Sequence, residues 1–237
     1  MKTILHKATE RGHANHGWLN SYHSFSFAGF YDAAKMNFGA LRVLNDDTVA
    51  AGMGFGKHPH DNMEIVSIPL SGDLEHQDTT GRKEIIRKGD VQIMSAGKGI
   101  AHSEKNANHN SEVKFLQIWV LPKEKNIEPR YEQKTFDAAN YHNKLQTVVA
   151  PDDAAAIWIN QDAWFVLGNL DKGINTDYTI KKNGNGVYVF VIEGEIIINE
   201  QQLNKRDALV IWDATSISIS ATSDATVLLI DVPMQLN

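Results

Sequence analysis

Gly56-Lys57-His58-Pro59-His60-Asp61-Asn62-Met63-Glu64-Ile65-Val66-Ser67-Ile68-Pro69-Leu70-Ser71-Gly72 is the stretch on which the fold turns. It places two histidines two residues apart, then a β-branched apolar run, then a glycine suited to a tight turn. On an extended strand alternate side chains share a face, so His58 and His60 aim at one point about 6–7 Å apart along the chain. A second segment, Gly99-Ile100-Ala101-His102-Ser103-Glu104, repeats the geometry with a histidine and a carboxylate. Three neutral imidazoles and one carboxylate suit a first-row divalent metal. The expected ligands are His58, His60, His102 and Glu104. An ion that accepts five or six ligands keeps positions for water, substrate or dioxygen.

Working outward, the chain reads as strands. Val91-Gln92-Ile93-Met94 and Phe115-Leu116-Gln117-Ile118-Trp119-Val120 are β-branched or aromatic and end at glycine, proline or charge. The second half continues with Val187–Ile192, Glu195–Ile198, Ala208–Trp212, Ile217–Ser220 and Val227–Asp231. Many short strands separated by turn signals predict an all-β sandwich or barrel. Asp137–Leu145 is the best short helical candidate, and Pro122–Pro129 reads as a connector.

A weak repeat runs through this pattern. Ile68–Leu74, with Gly72, leads to Lys88-Gly89-Asp90-Val91, and Val191–Ile196, with Gly194, leads to Lys205-Arg206-Asp207-Ala208. The alternative is a chance match of common hairpin chemistry. A true repeat would have diverged in chemistry, because no histidine follows His142. Only the first half would then bind metal.

Composition narrows the function. The 237 residues carry 23 basic and 29 acidic side chains. No positive surplus draws the chain to nucleic acid or an anionic membrane. Without cysteine there are no disulfides, thiolate metal sites or cysteine nucleophiles. The first residues are too short and polar for a secretory leader, and no run approaches the roughly 20 apolar residues of a membrane span. A cytoplasmic location is expected.

His58-x-His60-(x)3-Glu64 followed by Gly72 resembles the first cupin motif, and Gly99-(x)2-His102-(x)3-Asn106 the second. More narrowly, the chain resembles the pirin family, carried by His16–Leu19, Phe25–Ala28, Arg42–Asp47, His58–His60, Glu75–Asp78, Met94–Gly97, His102–Glu104, Leu116–Trp119 and Pro129–Tyr131. The resemblance implies an all-β bicupin: two jelly-roll β-barrels packed together, a metal-binding domain over 1–128 and a metal-free one over 129–237. It implies one divalent metal, iron first, with manganese, nickel, cobalt, copper or zinc as alternatives. It also implies a quercetin 2,3-dioxygenase-like activity, in which a planar flavonol is opened by dioxygen with release of carbon monoxide. Glu104 would take the proton of the substrate's 3-hydroxyl. A monomer is expected.

The family also bears on which acid binds metal. Many cupins use the counterpart of Glu64, pirins that of Glu104. Strand geometry agrees, since Glu64 would lie about 13 Å beyond His60 unless the chain bends at Asp61-Asn62. Glu64 then supports the ligands or is satisfied by neighbouring amides or Arg42. His76 and Asp78 read as a structural pair, with support of the ligands as the alternative. His13, His16 and His23 read as fold-stabilising, although they lie near the mouth of the barrel. Trp18, Phe25, Phe27 and Phe30 read as core, with a pocket wall as the alternative. Two other functions compete: a metal-binding regulatory protein acting through protein partners, and a sugar-phosphate isomerase with Lys57 and Lys98 on the phosphate.

Overall fold

The structure, a computed structural model, describes residues 1–236. It is all-β, and each half pairs a seven-stranded sheet with a four-stranded one. The predicted strands all form, most of them longer than the sequence suggested. The helical candidate does not. Asp137 caps a single 3-10 turn at Ala138–Tyr141, Asn143 takes a left-handed φ of 54°, and Leu145–Ala150 is a strand. The β-branched run Thr147-Val148-Val149 favours that outcome. No helix among the described residues is long and apolar enough to cross a membrane.

The repeat is visible in the pairing. In the first half the large sheet runs Arg130–Thr135, Asp90–Ser95, Glu64–Ser71, Val113–Val120, Leu41–Val49, Leu19–His23 and Gly12–Asn15. In the second, Lys2–His6, Ala208–Trp212, Asn185–Glu193, Ala225–Pro233, Trp164–Leu170 and Leu145–Ala150 take the corresponding places. Gly72 and Gly194 both turn with positive φ. Each lies against a backbone carbonyl, of Glu112 or Asp224, that a Cβ would strike. Asp90 and Asp207 both accept a hydrogen bond from the backbone N–H three residues earlier, at 2.8 and 3.0 Å.

Two strands are exchanged between the halves. Lys2–His6 pairs with Ala208–Trp212, and Arg130–Thr135 pairs with Asp90–Ser95. A division of the chain into domains 1–128 and 129–237 is therefore our proposal, crossed by these two pairings. The outer faces of the large sheets pack on each other through Leu44, Leu116, Ile118, Phe165, Phe190 and Ile230, all fully buried. Truncating one such aromatic typically costs about 3–5 kcal/mol. Alternation then sends Phe115, Gln117 and Trp119 of the Val113–Val120 strand to the inner face, into the first barrel.

The small sheet completes that barrel, in the order Gly54–His60, Ile100–Asn106, Asp73–Asp78 and Lys83–Arg87. In the second half its counterpart is Asn175–Thr179, Ser216–Ala221, Ile196–Ile198 and Gln201–Leu203. There the strand in the place of Ile100–Asn106 buries Ile217 and Ile219, and the interior is filled with Val, Leu and Ile. The second barrel is a packed, largely apolar core that also encloses Asp231, which accepts hydrogen bonds from Tyr178 and Asn185.

Candidate metal centre

Antiparallel pairing sets His102 directly opposite His58. His58, His60 and His102 thereby bring one ring nitrogen each within 4.8 Å of the others. The Nε2 atoms of His58 and His102 are 3.1 Å apart. Gly54, on the same strand, lies so close to the carbonyl of Glu104 that any Cβ would collide with it, so this approach requires glycine. At the other end Asn62, with φ of 44°, bends the chain away from the site.

The other ring nitrogens fix the imidazoles for binding a cation. His58 Nδ1 donates to the carbonyl of Gly56 at 2.8 Å, which leaves Nε2 as a bare acceptor. His102 Nδ1 faces His76 Nδ1 at 3.4 Å, and His76 Nε2 faces Asp78 Oδ2 at 3.0 Å. With a cation on His102 Nε2, one proton arrangement satisfies the chain: His102 Nδ1–H donates to His76, and His76 Nε2–H donates to Asp78. Burial would push the Asp78 carboxyl up, but hydrogen bonds from Thr80 and His76 hold it below the usual range. Burial, then the neighbouring histidines, drives His102 far below the ordinary imidazole value. His60 falls to about 4 by burial and by His58. Neutral imidazoles converging on one point are the donor set a divalent transition metal requires.

His76 lies between His102 and Asp78, within reach of both. His76→Phe keeps the ring but removes the acceptor that orients His102. Nickel affinity, measured by competition with a chelator on the folded variant, is expected to fall about 10–100-fold, and the metal-free melting temperature is expected to fall too, because buried Asp78 Oδ2 loses its partner. Affinity within about 2-fold of the parent would leave the pair a purely structural role.

Glu104 is buried on the same strand face as His102, but outside the three-histidine group. Its carboxylate accepts hydrogen bonds from Gln117 Nε2 and, at 3.4 Å, from Ser67 Oγ. Burial raises its proton affinity, against the hydrogen bond from Gln117 and the nearby His76 and His58. Glu64 is turned away by the bend at Asn62. Its Oε2 accepts from Ser95 Oγ at 2.7 Å and from the backbone N–H of Asn160 at 3.2 Å. Arg42, the partner weighed for it, donates instead to the carbonyl of Ser26.

A cavity of about 250 Å³ opens between His58 and Glu104 and the strands Leu19–His23 and Leu41–Val49. Phe27, Phe55 and Trp119 supply its apolar wall. Trp119 stacks edge-on against both His60 and Phe27, at 4.9 and 5.5 Å between ring centres. On the far side of His60 and Trp119 lies an open groove of about 560 Å³. Of the aromatics expected in the core, Phe25 is there, whereas Phe27 lines the cavity. His13 bonds Asn20 as a fold-stabilising residue, and His16 and His23 line the cavity.

Sequence reasoning missed Ser67, Gln117 and Trp119 as site residues, along with Ser21, Asn45 and Asp47. The available signal was a polar residue on the inward face of an otherwise apolar strand. Gln92, Ser67, Gln117, Asn45 and His23 are successive cross-strand partners, a buried polar row over five strands.

This is a bicupin with a histidine-built metal centre in its first barrel. The comparisons agree: the family described as Pirin matches residues 5–120, and the Quercetinase C-terminal cupin domain matches 147–232. The chain is 46% identical over 230 residues to a quercetin 2,3-dioxygenase of Escherichia coli K12, covering 97% of this chain and 98% of that one. A pirin-like protein of Caulobacter vibrioides is 40% identical over 222 residues, covering 93% and 95%. The crystal structure of YhhW from Escherichia coli superposes with a TM-score of 0.95 at 45% identity, covering all of both chains. The structure of the bacterial pirin YhhW with nickel(II) superposes at 0.93, covering 98% and 99%. The chain belongs to the pirin family.

Proposed function

We propose that this protein is a metal-dependent quercetin 2,3-dioxygenase, which opens the flavonol ring with dioxygen and releases carbon monoxide. The reading is carried by one observation: three imidazoles converge on one point, and one of them, His58, borders a small, aromatic-walled cavity together with the buried carboxylate of Glu104. The dioxygenase relative and the nickel-bound pirin structure support it. His58, His60, His102 and Glu104 would hold one divalent metal, with iron proposed as the resident ion. Bound there, the metal supplies Lewis-acid polarisation of the substrate oxygen.

The chain's own residues do the rest. Glu104 accepts the proton of the flavonol 3-hydroxyl, a role suited to a carboxylate whose affinity for protons burial has raised. The Gln117 amide and Ser67 hydroxyl hold that carboxylate in place. Phe27, Phe55 and Trp119 take the flat ring system and keep water from the deprotonated substrate.

The isomerase alternative lacks support: Lys98 is paired with Glu128 at 2.6 Å on the surface, and Lys57 is exposed. The test is aerobic turnover of quercetin by protein reconstituted with defined metals, following flavonol absorbance and carbon monoxide together. Coupled loss of absorbance and release of gas is expected. Absence of both with iron, manganese, nickel and cobalt would defeat the proposal.

A further inference from the structure

The wall of the cavity built by strands Leu19–His23 and Leu41–Val49 has no part in holding metal, yet it is polar. Ser21 and His23 lie directly opposite Asp47 and Asn45 in the strand register, so all four share one face. Each is about 3% exposed and lines the cavity. Ser21 Oγ donates to Asp47 Oδ1 and lies 2.8 Å from His23 Nε2. A serine has one proton to give, so with Asp47 ionised and accepting it, His23 Nε2–H is the donor of the second bond. That leaves His23 Nδ1 as a bare acceptor, buried and without a partner. Asn45 Oδ1 is likewise buried and unpartnered. Asp47 receives its one side-chain hydrogen bond from Ser21, and burial pushes its carboxyl up to about 7 despite that bond.

Two buried acceptors, His23 Nδ1 and Asn45 Oδ1, are thus left without donors in a place where buried polar groups are normally satisfied. Hydroxyl groups are the complement such a wall lacks. The same cavity is lined by Phe27, Phe55 and Trp119 and by His58 and Glu104, and Gln117, directly opposite Asn45 in the strand register, links this wall to Glu104.

We propose that Asp47, His23 and Asn45 form a specificity site for a second phenolic hydroxyl of the substrate, distinct from the metal-binding oxygen, so that the cavity selects aromatic ligands with a second hydroxyl donor. The inference rests on the flavonol reading above and adds what that reading leaves open, the pattern of hydroxylation. A site built to bond a hydroxyl discriminates strongly against analogues that lack it, because its polar groups are then left unpaired.

The test is binding of two flavonols to nickel-loaded protein without oxygen, read by quenching of tryptophan fluorescence. Kaempferol carries hydroxyls besides the 3-hydroxyl and 3-hydroxyflavone carries none, and neither has a catechol to chelate the metal. Kaempferol is expected to bind at least about 10-fold more tightly. The gap is expected to shrink below about 3-fold in Asp47→Asn and in Asn45→Ala, each checked for nickel content and melting temperature. Equal affinities in the parent protein, or a gap preserved in both folded variants, would overturn the assignment and leave the flavonol reading standing. If a variant fails to fold, the parent comparison decides. If neither flavonol binds, the flavonol reading fails, and resorcinol against phenol tests the wall by itself. Resorcinol binding no more tightly than phenol overturns it.

Discussion

Glu104→Gln, fully loaded with metal, is expected to lose quercetin turnover by about 100-fold or more, within the range of a general base. The substitution keeps shape and a carbonyl oxygen, so three imidazoles retain a fraction of the metal. It removes the negative charge and nearly all the basicity. It also sets an amide against the Gln117 amide, which now donates to the carboxylate. Glu64→Gln is the comparison, because Glu64 is as deeply buried but bonds Ser95 and Asn160 instead of facing the cavity. Its effect is expected to be smaller, at most the 10–100-fold typical of outer residues. Steady-state kinetics on protein of measured metal content decides. Near-parent turnover by metal-loaded Glu104→Gln would remove it as the base, and equal damage from both variants would mean that the two acids are misassigned.

The second large effect concerns the metal itself. One tightly held ion per chain is expected, because the second barrel places Ile217 and Ile219 on the strand corresponding to that of His102 and Glu104. His60→Ala and His102→Ala should abolish tight binding, whereas His109→Ala should leave it intact. A ligand bound only by the folded state adds about 2.7 kcal/mol at a free concentration 100 times its Kd. In a chain of this size that corresponds to a melting temperature raised by roughly 5–10 °C. Elemental analysis and thermal melts with and without chelator check both points. Two tight ions per chain, or a melting temperature indifferent to chelator, would refute the single preorganised site.

Much of this was legible in the sequence because the relevant chemistry is local. His58-x-His60 and His102-x-Glu104 each declare a shared face through the two-residue period of a strand, whatever the rest of the chain does. The same period made the β class readable from Val91–Met94 and Phe115–Val120. The repeat was readable because Gly72 and Gly194 meet the same steric demand, a positive φ beside a carbonyl. Asp137–Leu145 misled because a good cap and a polar turn look alike at the start of a helix and of a single 3-10 turn. What followed was decided by the β-branched run and by pairing of Leu145–Ala150 with Trp164–Leu170.

By itself, then, the sequence determined the strand class, the metal-binding residue types and their pairing in twos. These depend on neighbours one to four residues apart. Tertiary structure decided everything that depends on register between distant strands. It brought His102 opposite His58 across 44 residues and set Asp78 and His76 behind His102. It gave Glu104 its hold on Gln117. It also aligned Gln92, Ser67, Gln117, Asn45 and His23 into one polar row. In sequence each of these is a lone polar residue in an apolar strand. A one-residue slip in any pairing would turn that strand's set to the opposite face, so the cavity exists only once the register is set.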